Sequence, residues 1–130
     1  MQFPSQAWAD AFCAALNANA EYAEAAAAWE GDVLLKVLRG DGGASGIALS
    51  LSHGRCTQAT YLPEAATEAR EFVFEGSEAV WSRLFRREVD PVSAILGGTI
   101  KVRGNMAKLL RFTRAAKELV SAAGQIPVDG

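Results

Sequence analysis

The residues that could carry out catalysis are few and scattered along this chain. His53 is its single histidine, and Ser50, Ser52 and Cys56 lie near it in the sequence. Nucleophilic catalysis needs a base that a third polar group orients, but neither a carboxylate at triad spacing nor a nucleophile elbow accompanies these residues. His53 precedes Gly54, which is typical of a hairpin turn, so we interpret the histidine as a turn residue. The sequence therefore predicts that the protein is not an enzyme.

Metal and phosphate chemistry have equally little support. A zinc site needs more histidines and cysteines than the one histidine and two cysteines of this chain. The glycines within residues 40–46 predict a hairpin, because they do not lie at the strand-to-helix turn of a phosphate loop. Cys13 falls on a predicted helix and Cys56 on a predicted strand, which favours two reduced packing residues. We expect no metal site and no cofactor.

Charge is unevenly distributed along the chain. The formal net charge is −2, but residues 1–82 hold 4 basic and 11 acidic side chains, whereas residues 83–130 hold 9 basic and 4 acidic ones. A one-sided charge can orient a protein on an anionic membrane surface or hold an anionic head group; the alternative is a solvated face of two helices. The acidic overall balance and the lack of an RNA-binding signature argue against a nucleic-acid partner.

Length and composition predict one domain that spans residues 1–130. Half of the residues are apolar, which is enough for a single buried core. The sequence has no apolar run long enough to cross a membrane. Since neither a signal peptide nor a C-terminal address signal is recognisable, we expect a cytoplasmic protein. Residues 125–130 are expected to form a loose tail.

The stretch of residues 81–106 contains the elements that the rest of the chain must position. An amphipathic helix carries Trp81, Leu84 and Phe85 on one face. A second helix begins at Asp90-Pro91, because aspartate is a favoured N-cap and proline fits the first helical position.

This second helix is short and apolar, and it ends at Gly97-Gly98. Residues 99–103 then predict a strand with Ile100 and Val102 on one face. A short apolar helix held between two larger elements suits an apolar cavity better than a catalytic centre.

The hydrophobic period predicts helices and strands in the rest of the chain. Two helices come first, and Trp29 lies on the apolar stripe of the second. A last helix begins after Asn105 and carries a broad apolar stripe. The five predicted strands are residues 33–39, 46–52, 55–62, 71–75 and 99–103. Glycine-containing turns join the first three strands, so the fold class is α+β, with a five-stranded, mainly antiparallel sheet and helices on one face.

Several short motifs follow one another in a fixed order over nearly the whole chain. They are Trp29-Glu30-Gly31-Asp32, the helix of Trp81, Asp90-Pro91 with Ala94, Gly97-Gly98, Ile100 with Val102, and Gly104 before the last helix. Together they resemble the sterol carrier protein-2 family of lipid-binding domains. The resemblance implies a five-stranded sheet covered by helices around an apolar tunnel. It also implies non-covalent binding and transfer of sterols, fatty acids, acyl-CoA or other lipids.

Three features depart from the pattern of that family. Its members often carry a glycine before the Asp-Pro pair, where this chain has residues 86–89, Arg-Arg-Glu-Val. Thr99 stands where a lysine often follows the glycines, and the peroxisomal signal of the eukaryotic carriers is missing. The resemblance is therefore to a free-standing bacterial-type member, for which a sterol is a weak candidate ligand.

An apolar lining would be sufficient for binding, because each buried CH₂ group of a ligand contributes roughly 0.8 kcal/mol. We expect Trp81 and Met106 to contribute most, since tryptophan is large and methionine adapts to varied shapes. Arg83, Arg87 and Arg103 are the candidate head-group residues. The predicted lining comes from both layers of the fold: Trp81, Leu84, Phe85, Ile95, Leu96, Ile100, Met106, Leu109, Leu110, Phe112, Leu49, Leu51 and Phe74.

Two hypotheses from different classes remain open. In the first, the protein carries a lipid in an internal tunnel and turns its basic half toward an anionic membrane. In the second, it is a protein-interaction or dimerisation module of the same fold with a collapsed tunnel. Ordinary core packing is the alternative role of each apolar candidate, and a solvated charge is the alternative role of each arginine.

Overall fold

The computed structural model describes residues 2–128, which form five strands and six helices. The strands are β1 (Glu30–Leu38), β2 (Ala44–Ser52), β3 (Arg55–Leu62), β4 (Phe72–Ser77) and β5 (Lys101–Arg103). The helices are α1 (Gln6–Asn17), α2 (Ala20–Ala25), α3 (Glu78–Phe85), α4 (Pro91–Leu96), α5 (Met106–Arg111) and α6 (Thr113–Gly124).

The sheet has the strand order β3-β2-β1-β4-β5. Every neighbouring pair is antiparallel except β1 and β4, which run parallel. His53 and Gly54 both adopt a positive φ, +49° and +82°, as a type I′ hairpin turn requires. The structure thus confirms the α+β class, the mainly antiparallel sheet and the position of His53 in a turn.

The two faces of the sheet are covered differently. Residues such as Val33 and Leu35 pack with the helices in the main core, whereas Leu34, between them, belongs to a separate cluster on the opposite face. That second face is covered by the connection between β3 and β4, where Ala65 is fully buried and its backbone N–H donates to the Ala44 carbonyl at 2.8 Å. The helices therefore lie on one face, and a loop covers part of the other.

Five aromatic side chains gather where the N-terminus meets α3, and we call them the aromatic cluster: Phe3, Trp8, Phe12, Trp81 and Phe85. The ring centroids of Phe3 lie 4.6 Å from those of both Trp8 and Phe85, with an edge-on geometry in each case. The indole N–H of Trp81 donates to the backbone carbonyl of Lys36 at 3.1 Å. Trp81 is therefore both packed and hydrogen-bonded to β1.

The second helix is shorter than the sequence pattern suggests. It ends at Ala25, and Trp29 lies just before β1, with its backbone N–H donating to the Ala26 carbonyl at 2.9 Å. The reason is strand pairing: Ser52 of β2 aligns with Glu30, so the strand ladder already begins one residue after Trp29. The expectation that Trp29 lies on the helix was wrong.

The last helix is divided in two. The sequence predicts one continuous helix after Asn105, but Phe112 adopts φ −120° and ψ 33° between α5 and α6. Its ring packs edge-on against Trp29, with the centroids 5.2 Å apart. The hydroxyl of Thr113 donates to the Leu110 carbonyl at 2.9 Å. Tertiary packing of Phe112 therefore overrides the helical period at this point.

The C-terminal residues are packed over part of the predicted loose tail. Ile126 is buried, and Val128 packs half-buried against the core. The prediction was wrong for these two residues, because their apolar side chains find a place against the core. Asp129 and Gly130 lie outside the described residues.

Candidate functional site

An apolar cleft with a volume of about 600 Å³ lies between α4, β5, α5 and α6. Pockets of roughly 300–1,000 Å³ hold small molecules in proteins, so this cleft has the size of a ligand site. Its walls carry mostly aliphatic side chains: Val92, Ile95, Leu96, Ile100, Val102, Met106, Leu109, Leu110 and Ala116.

Local interactions around α4 build one side of the cleft. The carboxylate of Asp90 accepts from the backbone N–H of Ser93 at 3.0 Å and caps the helix. Ala94 is buried, and its small side chain lets α4 lie close to the core. The backbone N–H of Ile100 donates to the Ala94 carbonyl at 2.9 Å, which brings the chain back beneath α4. Ile95 and Ile100 consequently border the same space.

Anchoring of α5 builds the opposite side. Asn105 caps this helix by accepting from the backbone N–H of Lys108 at 3.1 Å. The Lys108 ammonium donates to the Glu30 carbonyl at 2.7 Å and pairs with the Glu71 carboxylate. It also lies 4.8 Å from the centroid of the Trp29 ring. These contacts hold α5 against the start of β1.

Three large apolar side chains at the cleft entrance remain in solvent, and we call Leu96, Met106 and Leu110 the cleft mouth. Their exposed fractions are 81%, 49% and 73%. Large apolar side chains grouped on a surface are typical of ligand grooves and of protein or membrane contact sites. The cleft is therefore open at an apolar entrance.

The charges along the cleft all have one sign. Lys101, Arg103 and Lys117 line it, and within residues 2–128 no acidic side chain does. The guanidinium of Arg103 lies 3.4 Å from the Glu75 carboxylate, which offsets part of its charge. Among the ion pairs of the described residues, neither Lys101 nor Lys117 has a partner. The cleft thus favours an apolar molecule that carries negative charge.

A second space lies in the interior, on the far side of Leu109 and Ala116 from the cleft. Its volume is about 20 Å³, close to that of one water molecule. Trp29, Leu51 and Phe74 contribute to its walls. The structure therefore has an open cleft and a small apolar void that share Leu109 and Ala116, and the predicted continuous tunnel is not shown.

The predicted lining residues divide between the cleft and the core. Six of them line the cleft: Ile95, Leu96, Ile100, Met106, Leu109 and Leu110. Leu51 and Phe74 line the small void. The others pack in the core, which includes Leu49, Leu84 and Phe112 as well as Trp81 and Phe85 of the aromatic cluster. Trp81, which we expected to contribute most together with Met106, does not border the cleft, because the α3 stripe faces the N-terminal segment.

The predicted head-group residues divide in the same way. Arg103 lines the cleft. Arg87 lines a different depression beside the turn between α3 and α4, and Arg83 is exposed on α3. Sequence reasoning missed Lys101 and Lys117, whose signal was their position beside apolar residues of β5 and α6. In this protein, a basic side chain next to an apolar stripe indicates a residue at the edge of the cleft.

The residues considered for catalysis or metal binding lie away from the cleft. Within residues 2–128, no group of three or more His, Cys, Asp or Glu side chains could hold a metal ion. Cys13 and Cys56 are both free thiols, and burial raises the pKa of Cys56 to about 12. The His53 ring lies 3.2 Å from the Ala27 carbonyl. Within residues 2–128, none of the helices is long and apolar enough to cross a bilayer.

A five-stranded sheet with helices on one face and an apolar cleft beneath the last two helices defines an α+β domain of the sterol-carrier type. Residues 10–117 match the model of the SCP-2 sterol transfer family, and the chain belongs to that family. No curated protein sequence matches the chain.

Solved structures agree with this assignment. A crystal structure of sterol carrier protein 2 is 31% identical, covers 93% of this chain and 96% of its own, and has a TM-score of 0.84. A conserved hypothetical protein, possibly a sterol carrier protein, from Thermus thermophilus is 30% identical over 99% of this chain and 92% of its own, with a TM-score of 0.82. The UbiJ-SCP2 ubiquinone synthesis protein shares the fold at 20% identity over 98% of this chain and 99% of its own, with a TM-score of 0.51.

Proposed function

We propose that this protein binds and transfers a lipid with a negatively charged head group, a fatty acid or an acyl-CoA, in the cleft between α4 and α6. The observation that carries the proposal is the cleft itself, which combines aliphatic walls with three basic side chains. Its volume of about 600 Å³ is suited to an acyl chain. The family to which the chain belongs supports a lipid as the ligand.

The two kinds of lining residue would make different contributions. Each buried CH₂ group contributes roughly 0.8 kcal/mol, so the acyl chain would supply most of the binding free energy. Lys101 and Lys117 would orient the ligand, because each can attract a carboxylate or phosphate at the entrance. A sterol offers only a hydroxyl group to these lysines. The basic lining therefore favours an anionic lipid over a sterol.

The same lining supports binding without chemistry. Within the described residues, the cleft has no histidine, cysteine or carboxylate side chain. Its one hydroxyl group, on Thr113, already donates to the Leu110 carbonyl. Because the titratable side chains on these walls are the three basic ones, which suit an anionic head group, we infer that the protein is a carrier.

The proposal can be tested by titration with a fluorescent fatty acid, followed by displacement with oleate, an acyl-CoA or cholesterol. Wild-type protein should bind the probe and release it to oleate more readily than to cholesterol. Met106→Glu should weaken binding at least tenfold, since it removes apolar contact and adds negative charge to the cleft. Binding of no lipid above background would contradict the proposal.

A matched pair of charge reversals locates the head group. Lys117→Glu should weaken fatty-acid binding about fivefold, the effect of losing about 1 kcal/mol of attraction. Arg83→Glu makes the same change on α3, outside the cleft, and should leave the affinity within twofold of wild type. An equal loss in both variants would show that overall charge, and not the cleft, decides the affinity.

A dimerisation module is a second candidate, and two observations favour it. The cleft mouth exposes Leu96 and Leu110, and the interior holds only a void of about 20 Å³. Sedimentation velocity over a wide concentration range separates the candidates. A concentration-independent monomer that binds fatty acid supports the carrier, whereas a stable dimer without ligand binding supports the module.

A further inference from the structure

Helix α5 forms one wall of the cleft but buries little of its own surface. Of its six residues Leu109 is buried, whereas Met106 and Leu110 are exposed. The backbone leaves the helical conformation on both sides of α5, with φ +143° at Gly104 and φ −120° at Phe112. Helices this short are marginal in isolation, so α5 depends on its contacts with the rest of the protein.

One polar side chain ties α5 to the neighbouring elements. The Lys108 ammonium donates to the Glu30 carbonyl at 2.7 Å and pairs with the Glu71 carboxylate. It also lies 4.8 Å from the centroid of the Trp29 ring. Within residues 2–128, no other side chain of α5 forms a hydrogen bond with another element. Three such partners restrain the ammonium more than a single surface ion pair would.

Two glycines leave room for the partner of this lysine. A Cβ atom at Gly31 would lie 2.7 Å from a carboxylate oxygen of Glu71, and one at Gly104 would lie 2.5 Å from the Glu71 backbone oxygen. Both separations are shorter than a non-bonded contact allows, so a larger residue at either position would displace Glu71. The glycines therefore let the Glu71 carboxylate reach Lys108.

The residue that follows Lys108 separates two apolar spaces. Leu109 borders both the cleft and the small void in the interior. The Trp29 ring, which lies beneath the Lys108 ammonium, forms another part of the void's wall. Because Lys108 and Leu109 are adjacent in one helical turn, α5 cannot withdraw the leucine while the ammonium stays bound.

We propose that Lys108 is a latch that keeps α5 closed over the interior. While the ammonium is bound to β1 and to Glu71, Leu109 separates the cleft from the void. When the ammonium is released, α5 turns about Gly104 and Phe112, and the cleft extends into the core. The latch rests on the proposed function in one respect: the acyl chain is the molecule that would use the added space.

Amide hydrogen exchange of the ligand-free protein measures how often α5 opens. Lys108→Met keeps the aliphatic stem and removes the charge, so the amides of Leu109, Leu110 and Arg111 should exchange about fivefold faster. Arg83→Met removes a charge from the exposed face of α3 and should leave these amides within about twofold of wild type. Unchanged exchange in Lys108→Met would overturn the inference.

The carboxylate partner supplies a second, independent variant. Glu71→Gln should also speed exchange in α5, whereas Glu68→Gln, which changes a carboxylate paired with Arg70 in the same connection, should not. The double variant Lys108→Met with Glu71→Gln should exchange no faster than Lys108→Met alone, because both changes break one contact. Additive effects would mean that the two side chains act separately, and they would overturn the latch.

Stopped-flow release of a fluorescent fatty acid separates the latch from the proposed function. Lys108 does not line the cleft, so Lys108→Met should release the probe about fivefold faster because α5 opens more often. Equal release from the variant and the wild type would overturn the latch and leave the carrier function in place. Faster hydrogen exchange in Lys108→Met, with no fatty-acid binding by the wild type, would keep the latch and remove the proposed function.

Discussion

Trp81 on α3 and Leu110 on α5 are both large apolar side chains, but their exposed fractions are 1% and 73%. Trp81 is covered by Phe3 and Phe85, and its indole N–H finds the Lys36 carbonyl on β1. Leu110 lies on the six-residue helix α5, at an entrance that no other described element covers. The aromatic cluster is therefore a region that holds the fold together, whereas the cleft mouth is a region left free to contact something else.

This difference shows what apolar character in a sequence means. It indicates that a side chain gains free energy when it leaves water, but not which partner removes the water. In the aromatic cluster the partner is the chain itself. At the mouth we propose a lipid as the partner, and variants of the two regions should separate stability from binding.

The largest effect is expected for Trp81→Ala. Removing a buried aromatic side chain should lower the free energy of unfolding by about 3–5 kcal/mol, because it leaves a cavity and an unpaired Lys36 carbonyl. Urea denaturation measures this loss. Trp81→Phe keeps the ring packing and should cost less. A stable Trp81→Ala protein that no longer binds fatty acid would place Trp81 at the ligand site and break the contrast.

Leu109 lies at the boundary between the two regions, since it borders both the cleft and the small void. Leu109→Ala should cost about 2–4 kcal/mol of stability and join the two spaces. Longer acyl chains should then gain about fourfold in affinity for each additional buried CH₂ group. A displacement series of fatty acids of increasing length measures the change. An unaltered length preference would show that the void is not accessible from the cleft.

Alkaline pH should affect the packed region first. Burial raises the pKa of the Cys56 thiol from 9.0 to about 12 and also raises the pKa of Tyr22. In the unfolded chain Cys56 loses its proton near pH 9, but in the folded protein it keeps it. The contribution of Cys56 to the free energy of unfolding is therefore fully present below about pH 9. It falls as the pH rises from about 9 to about 12. Urea midpoints measured between about pH 9 and about pH 12 should show this loss of stability. The variant Cys56→Ala should lose less stability over the same range. An equal loss in the variant would exclude Cys56 as a cause.

The smallest effect is expected at the mouth. Leu96→Ala should change the free energy of unfolding by no more than about 0.5 kcal/mol, because the side chain is in solvent. Leu84→Ala makes the same substitution in the core and should cost about 2–5 kcal/mol. Thermal or urea unfolding compares the two proteins. Similar losses at both positions would show that Leu96 is buried in solution.

Much of the fold could be predicted from local patterns. Asp90 and Asn105 cap α4 and α5 as expected, and Gly54 supplies the positive φ that its turn requires. The end of α2 and the division of the last helix could not be predicted, because strand pairing at Glu30 and packing of Phe112 on Trp29 decided them. Local signals specify where elements can begin, but long-range contacts decide where they end.

The candidate site was predicted less completely than the fold. Of the predicted lining residues, Met106, Leu109 and Leu110 lie on the cleft, whereas Trp81 and Leu84 face the core. All five belong to apolar stripes at helical spacing, so the period alone could not separate them. Which stripe borders an open space depends on the elements that pack above it.

By itself, the sequence determined the class of the fold, the family and the absence of a recognisable catalytic motif, because these depend on residue types and their order. The tertiary structure decided that the apolar space is an open cleft with a basic lining, and that Trp81 belongs to the core. The physical reason is that burial is a property of neighbours: a leucine on α4 stays in water only because no other segment of the described chain reaches it.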